Sequence, residues 1–192
     1  MLFAAKRSLF VIGSLLALMW AVELLGLLGG RWLALDQFGI VPRCWSGLVG
    51  IPLAPFLHCG WSHLAANSLP FAILGLFVIG RSERTFWAVS ASIVILGGLG
   101  VWLFGRSHSV HLGASGLIFG YFGYLIALGV IEHSVTAILR ALLVGLWYGS
   151  IIWGVLPGHR GVSWESHLFG LLAGLAVARL SSRGTTARDT PA

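Results

Sequence analysis

A serine and a histidine, each at the start of an apolar segment, are the residues best suited to covalent chemistry. Ser115 lies between Gly113 and Gly116, which predicts a tight turn leading into a helix. The N–H groups of a first helical turn have no partner inside the helix and suit an oxyanion. His167 begins another apolar segment, and an imidazole with an ordinary pKa of about 6.5 suits proton transfer near neutral pH. The two could form a nucleophile and its base, although N-capping serines and core histidines are common alternatives.

A second histidine and an asparagine could stabilise the negative charge that such a reaction creates. His63 and Asn67 are four residues apart, so they share one face of a helix. Both side chains donate hydrogen bonds, and if they point at Ser115 they complete an oxyanion hole. Hydrogen bonds between membrane helices are an equally good use of such residues, so both interpretations stay open.

Small residues line one face of each of the two helices that would carry Ser115 and His167. They are Gly116, Gly120 and Gly123 in the first helix, and Gly170 and Gly174 in the second. Small residues allow membrane helices to approach closely. The spacing therefore predicts that these helices pack together and bring the serine and the histidine within hydrogen-bonding distance.

No carboxylate is placed to complete a catalytic triad. Asp36 lies in a long loop, Asp189 lies in the C-terminal tail, and Glu165 is two residues before His167, so that it points elsewhere on a helix. The chemistry would therefore use a Ser–His dyad, a variant that the triad logic permits. A zinc site is disfavoured because HExxH is missing and no carboxylate or cysteine lies at ligand spacing on the same helix. We expect neither a metal nor a cofactor.

The composition is that of a membrane protein. Of the 192 residues, 57% are hydrophobic and 9% are charged, and the mean hydropathy is +0.92, whereas soluble domains carry about 25% charged residues. The net charge of +6 could suit nucleic acid, but the basic residues form no stripe or patch, so we expect no nucleic-acid partner.

Six apolar segments are candidate membrane spans, and they should be helices because lipid offers the backbone no other partners. They cover about 8–28, 63–80, 86–104, 114–131, 137–156 and 165–180. We predict an all-α six-helix membrane domain over 1–183 and a disordered polar cytoplasmic tail over 184–192. The first segment is too long for a signal peptide, so we expect it to be retained. Glu23 within it is expected to face the interface or a neighbouring helix rather than to act in catalysis.

The distribution of Lys and Arg predicts that both termini are cytoplasmic. With that orientation the inner residues are Lys6, Arg7, Arg81, Arg84, Arg140, Arg179, Arg183 and Arg188, and the outer ones are Arg31, Arg43, Arg106 and Arg160. The second, fourth and sixth spans then begin on the outer side. His63, Ser115 and His167, which lie in the first turns of these spans, should meet at one depth on that side.

The first outer loop, about 29–62, is long and rich in aromatic residues and glycine. Aromatic residues favour the membrane–water interface, so we predict a folded element that lies partly in the interface. The loop also holds Cys44 and Cys59. Unpaired buried thiols are the favoured prediction for these two residues, with a disulfide as the alternative.

These motifs resemble those of the rhomboid intramembrane serine proteases over about 39–178. The matching residues are His63-x-x-x-Asn67, Gly113-Ala114-Ser115-Gly116 and His167-x-x-Gly170-x-x-x-Gly174, in this order on the second, fourth and sixth spans. The resemblance implies that Ser115 is the nucleophile and His167 the general base. It implies that His63, Asn67 and the Ser115 N–H bind the oxyanion.

The resemblance implies supporting features as well. His58 would be structural, Phe119 would pack against His167, and the loop at about 157–164 would gate entry to the site. Many rhomboids carry a Trp-Arg pair in the first outer loop, whereas here Arg31-Trp32 is reversed and Trp45 lacks a following Arg. The fold of that loop is therefore not implied by the resemblance.

The implied function is cleavage of other transmembrane proteins in the lipid bilayer of the bacterial inner (plasma) membrane. A catalytically inactive rhomboid-like protein that binds transmembrane clients is the alternative, although such relatives usually lack the serine or the histidine. A small transporter would place polar groups near the middle of several spans, whereas here they cluster at one end. The sequence does not define the substrate or the oligomeric state.

Overall fold

The computed structural model describes residues 2–158 and 161–186, which are largely helical. The α-helices in these ranges are α1 (Leu2–Leu33), α2 (Gly50–Leu53), α3 (Trp61–Ile79), α4 (Glu83–Phe104), α5 (Ser115–Ile131), α6 (Val135–Tyr148) and α7 (Trp164–Thr186). Short 3-10 helices cover Leu35–Phe38, Trp45–Leu48, Ala54–Phe56 and Gly149–Val155. Predictions that involve Arg160, Arg188, Asp189 or residues 187–192 lie outside the described residues, as do the side chains of Arg31, Trp32 and Arg183.

Within the described residues, four helical stretches are long and apolar enough to cross a bilayer, which confirms the membrane character of the chain. They are Phe3–Gly30, Trp61–Ile79, Glu83–Phe104 and Val135–Val155. α5 is apolar but has 17 residues, and at 1.5 Å per residue it is about 26 Å long, slightly less than the roughly 30 Å hydrocarbon core. α7 begins with the polar turn Trp164-Glu165-Ser166-His167 and continues three residues into the predicted tail. The count of six spans stays a prediction for α5 and α7.

α5 lies at the centre of the bundle. It is apolar on all sides and buried along most of its length, and a helix of this kind is stable only when other elements enclose it. α7, α6, α3 and α4 pack around it, with α7 making the most extensive contact. The fully buried Tyr121 hydroxyl lies 2.6 Å from the Ser90 hydroxyl, so this polar group is satisfied inside the core.

α5 and α7 touch each other through glycine. A Cβ on Gly170 would collide with the carbonyl group of Gly116, and a Cβ on Gly174 would collide with that of Gly120. Any side chain at these positions would therefore push the two helices apart. This close approach places the first turn of α7 beside the first turn of α5.

The segment 34–60, between α1 and α3, is folded and is tied to the rest of the molecule by hydrogen bonds. The backbone of Ile40 exchanges two hydrogen bonds with that of His111, at 2.8 and 2.9 Å. The Arg43 guanidinium donates to the carbonyls of Leu103 and Gly105 at the end of α4, at 3.0 and 2.9 Å. A cation is favourable at a helix C-terminus, so Arg43 anchors the segment there. Its predicted position in the membrane interface stays a prediction.

Both cysteines lie in this segment, and both are free and exposed. The prediction of unpaired thiols agrees with this arrangement, but the prediction that the thiols are buried is wrong. Each cysteine lies in a connection rather than in a helix of the bundle. Cys44 precedes the 3-10 helix Trp45–Leu48, and Cys59 lies two residues before α3.

Candidate active site

Ser115 and His167 lie next to each other at the ends of two packed helices. Ser115 is the first residue of α5, and His167 lies in the first turn of α7. The Ser115 Oγ is 2.9 Å from the His167 Nε2. This is a hydrogen-bonding distance of the kind expected between a nucleophile and its base. The residues are 52 positions apart in the chain, so the glycine contact between α5 and α7 is what brings them together.

The hydrogen bond made by the other ring nitrogen of His167 determines which nitrogen of the neutral ring carries the proton. Its Nδ1 is 2.9 Å from the carbonyl oxygen of Gly154, and a carbonyl can only accept, so Nδ1 must donate. In a neutral imidazole the lone pair then lies on Nε2, which faces the Ser115 hydroxyl. The backbone carbonyl thus orients the ring, as the aspartate does in a catalytic triad.

An aromatic side chain and a glycine hold the imidazole in place. The Phe119 ring is stacked on the His167 ring, with centroids 4.2 Å apart and planes inclined by 6°. A Cβ on Gly154 would lie 2.8 Å from the Phe119 Cζ and 3.1 Å from the His167 Nδ1. Only glycine therefore fits at position 154 without moving one of these rings.

The turn before Ser115 requires both a glycine and a histidine. Gly113 has φ of +112°, a conformation that glycine adopts easily and other residues rarely adopt. The Ala114 N–H donates to the His58 Nε2 at 3.3 Å, so this nitrogen must be unprotonated. Burial, and secondarily the nearby His63, lowers the pKa of His58 to about 4. His58 therefore stays neutral near pH 7 and holds the turn as an acceptor.

His63 and Asn67 approach the same turn from α3. The Cys59 N–H points at the His63 Nδ1 at 3.5 Å, which leaves Nε2 as the protonated nitrogen of a neutral ring. That edge of the ring faces Gly113, since a Cβ there would lie 2.9 Å from the His63 Nε2. The Asn67 amide donates one hydrogen bond to the His63 carbonyl, at 3.0 Å, and retains a second N–H.

A cavity of about 410 Å³ joins these groups. Its polar lining includes the four residues Ser115, His167, His63 and Asn67, and its apolar lining includes Ala66, Pro70, Ile118 and Ile151. Pro70 lies inside α3 and has no N–H, so the Ala66 carbonyl lacks its usual helical partner. The cavity thus combines a hydroxyl, an imidazole, several N–H donors and apolar walls, which suits acyl transfer from a peptide.

A family model of the rhomboid domain matches residues 45–184, which is most of the chain. The chain belongs to the rhomboid family. The resemblance inferred from the motifs is therefore confirmed.

Curated relatives of this rhomboid chain include several mycobacterial proteins. Uncharacterized proteins of Mycobacterium tuberculosis and Mycobacterium bovis are 41% identical over 191 residues, covering 92% of this chain and 78% of theirs. A Bacillus subtilis protein that bears the name "Putative rhomboid protease YdcA" is 27% identical over 128 residues, covering 65% of this chain and 62% of its own. The family model and the name of the Bacillus subtilis relative support a protease family, and the long apolar helices support a multi-pass membrane protein.

Among the described residues, no carboxylate of the rhomboid chain is hydrogen-bonded to the side chain of Ser115 or His167. Glu23 lines a second cavity together with Asp36 and His58. Glu165 is almost fully buried, and its Oε1 accepts from the Arg106 Nε at 2.6 Å. Among the described residues, no group of three or more His, Cys, Asp or Glu side chains could hold a metal ion.

Two structural features of the rhomboid chain were not predicted from the sequence. Gly154 acts through its backbone carbonyl, and a carbonyl has no residue-specific signature. Arg43 anchors the segment 34–60 two residues before Trp45, whereas the expected motif places Arg directly after Trp. The Arg-x-Trp spacing in a glycine-rich loop could have pointed to this anchor.

Proposed function

We propose that this protein is an intramembrane serine endopeptidase that hydrolyses peptide bonds of transmembrane proteins. The observation that carries the proposal is the 2.9 Å distance between the Ser115 Oγ and the His167 Nε2, with Nδ1 engaged by a backbone carbonyl. Membership of the rhomboid family supports the same reaction class.

Acylation begins when the Ser115 Oγ attacks the carbonyl carbon of the scissile bond and its proton passes to the His167 Nε2. The tetrahedral oxyanion receives hydrogen bonds from the Ser115 N–H, which opens α5, and from the His63 and Asn67 side chains. The imidazolium then protonates the leaving amine, the C–N bond breaks, and an acyl-enzyme remains. The Gly154 carbonyl stabilises the positive ring throughout.

Deacylation follows the same path with water as the nucleophile. His167 takes a proton from water, the hydroxide attacks the ester carbonyl, and the proton returns to the Ser115 oxygen as the acid product leaves. The cavity beside the dyad supplies the room that this water needs. No step requires a metal or a cofactor.

The distribution of Lys and Arg along the chain supports the proposed setting of the reaction. We place six spans in the inner (plasma) membrane, both termini in the cytoplasm, and the active site open to the outer side. Transmembrane proteins are then the substrates, because their spans lie in the same lipid layer as the helices that carry the dyad.

Cleavage of a model transmembrane substrate by purified protein in detergent tests the proposal. We expect Ser115→Ala and His167→Ala each to lower the rate by about 10⁴-fold or more, since removal of a nucleophile or its base leaves little catalysis. Ser46→Ala, in the exposed turn of the segment 34–60, and His108→Asn, at an exposed loop position, serve as matched controls. Cleavage that survives Ser115→Ala would remove this residue as the nucleophile.

A fluorophosphonate probe provides a second readout of the same chemistry. We expect it to label Ser115 in the wild-type protein and to fail in the His167→Ala variant, because the alcohol is unreactive without its base. Thermal unfolding of each variant shows whether the fold is retained. Labelling of a different serine would contradict the assignment.

A further inference from the structure

A second hydrogen bond joins the two segments that carry the dyad. Each of its two residues lies four positions before a residue of the dyad. The His111 Nδ1 lies 2.5 Å from the Ser163 Oγ. Ser115 follows His111 by four residues, and His167 follows Ser163 by four residues. The same two stretches of chain are therefore bridged twice, once by His111–Ser163 and once by Ser115–His167.

The neighbours of His111 fix the direction of this bond. The Ser109 hydroxyl donates to the Arg106 carbonyl at 2.7 Å, so its oxygen accepts from the His111 Nε2–H at 2.8 Å. A neutral imidazole has one N–H, and the His111 Nδ1 is therefore an acceptor. The Ser163 hydroxyl must donate to it. Burial is the main cause that lowers the pKa of His111, and Arg106 adds to it while Glu165 opposes it.

Both ends of the bond are anchored. The backbone of His111 is paired in both directions with Ile40, at 2.8 and 2.9 Å. Ser163 caps α7, because its hydroxyl accepts from the Ser166 N–H at 3.4 Å and its carbonyl accepts from the His167 N–H at 3.3 Å. A shift of α7 relative to the turn before Ser115 would therefore break the His111–Ser163 bond directly.

The glycine contacts between α5 and α7 let the helices approach but do not fix their relative position along the axis. Gly170 and Gly174 meet backbone rather than interlocking side chains, and van der Waals contact is not directional. A hydrogen bond is directional and weakens steeply when its atoms are displaced. Directional bonds between the loop 105–114 and the start of α7 supply this constraint. Arg106 bonds to Glu165 at one point, and the His111–Ser163 bond lies nearer to the dyad in sequence, four residues before it in each segment.

We infer that His111 and Ser163 are positioning residues, whose hydrogen bond keeps the His167 Nε2 in reach of the Ser115 Oγ. The inference rests on the proposed function of that dyad. Neither residue touches the reacting atoms in this role. They act by setting where the first turn of α7 lies against the turn that leads into α5.

Two isosteric substitutions of His111 separate positioning from packing. An asparagine amide oxygen reaches about the place of Nδ1 and can accept from Ser163, whereas a glutamine amide reaches about the place of Nε2 and can bond only to Ser109. We expect His111→Gln to lower kcat by about 10- to 100-fold with little change in KM, as a displacement of about 1 Å can do. His111→Asn should keep most of the activity, and equal losses in the two variants would overturn the inference.

Substitutions of Ser163 provide the complementary test. Ser163→Thr keeps both the hydroxyl donor and the helix cap, so it should retain kcat, whereas Ser163→Ala should lower it and leave KM nearly unchanged. His108→Asn is the control, since His108 is exposed in the same loop and has φ of +59°, which asparagine tolerates. A Ser163→Ala variant with full kcat would contradict the positioning role.

Histidine ¹⁵N NMR tests the bond without any turnover. The signal of His111, assigned by its loss in His111→Asn, should report a protonated Nε2 and an unprotonated Nδ1. The opposite tautomer would overturn the inference whether or not the protein is a protease. Wild-type protein that neither cleaves substrate nor reacts with a fluorophosphonate would instead overturn the proposed function, and the spectrum would still decide whether Ser163 donates to His111.

Discussion

At the scale of residues, the site depends on neutral histidines that use one ring nitrogen each as an acceptor. The His167 Nε2 faces the Ser115 hydroxyl, and the His58 Nε2 accepts from the Ala114 N–H. Protonation would convert either nitrogen into a donor and abolish its bond. Loss of the His58 bond would remove a contact that holds the turn before Ser115.

We expect His58 to make the protein less stable in acid. Its pKa is about 4 in the folded protein and about 6.5 when unfolded, so its contribution is complete above about pH 6.5 and is lost as the pH falls to about 4. The free energy of unfolding should drop by about 3 kcal/mol over this range from His58 alone. Denaturant unfolding followed by tryptophan fluorescence at pH 7 and pH 4 measures the drop.

The non-titrating variant His58→Gln isolates this contribution from those of other groups. His63 on α3 faces His58, and Glu23 and Asp36 line the cavity next to it, so a comparison with a variant is needed to separate His58 from its ionisable neighbours. Glutamine can still accept from the Ala114 N–H. The free energy of unfolding of this variant should therefore fall less between pH 7 and pH 4, and the difference from the wild-type protein is the contribution of His58. Parallel stability curves for the two proteins would refute the assignment.

Residue types with distinctive chemistry were predictable from the sequence, and backbone groups were not. Ser115, His167, His63 and Asn67 stood out because polar side chains are costly in an apolar chain. The carbonyl of Gly154 could not be foreseen, since nothing in the sequence defines how the stretch after α6 bends back towards α7.

At the scale of elements, the helix positions followed from the apolar segments, and the deviations have local causes. α6 ends at Tyr148 and continues as the 3-10 helix Gly149–Val155, where two glycines weaken the α-helix. The loop Gly105–Ala114 was predictable as a break but not as a partner of Ile40. That contact depends on pairing between distant segments.

Enlarging Gly170 should separate α7 from α5 and lower activity. A Cβ there meets the Gly116 backbone, so Gly170→Leu must displace α7, and a displacement of about 1 Å can cost about 100-fold in rate. Gly145→Leu on α6 is a matched control, because a Cβ there meets only the Ile126 side chain at 3.7 Å. Unchanged proteolysis in Gly170→Leu would show that the dyad does not depend on this contact.

At the scale of the whole molecule, the two ends of the bundle differ in chemistry. Salt bridges join Arg7 to Glu83 and Arg81 to Glu132 at one end, and the dyad lies at the other end together with the Arg106–Glu165 salt bridge. Lys and Arg accumulate on the cytoplasmic side of membrane proteins. In the orientation that we propose, the segment 34–60, with both cysteines of the chain, lies on the outer side.

The cysteines report this orientation directly, because both thiols are exposed. A membrane-impermeant maleimide should label them in intact spheroplasts. Thr136→Cys, made in a variant without the native cysteines, should react only after permeabilisation. The reason is that Thr136 lies just past the end of α5 that is opposite to the dyad. Cys44 should react several-fold faster than Cys59. Hydrogen bonding to Ser46 lowers the pKa of Cys44, while partial burial and the charges of two nearby carboxylates raise the pKa of Cys59, and the thiolate is the reactive form. Labelling of Thr136→Cys before permeabilisation, together with labelling of the native cysteines of the wild-type protein only after permeabilisation, would invert the orientation and place the Ser115–His167 pair on the cytoplasmic side.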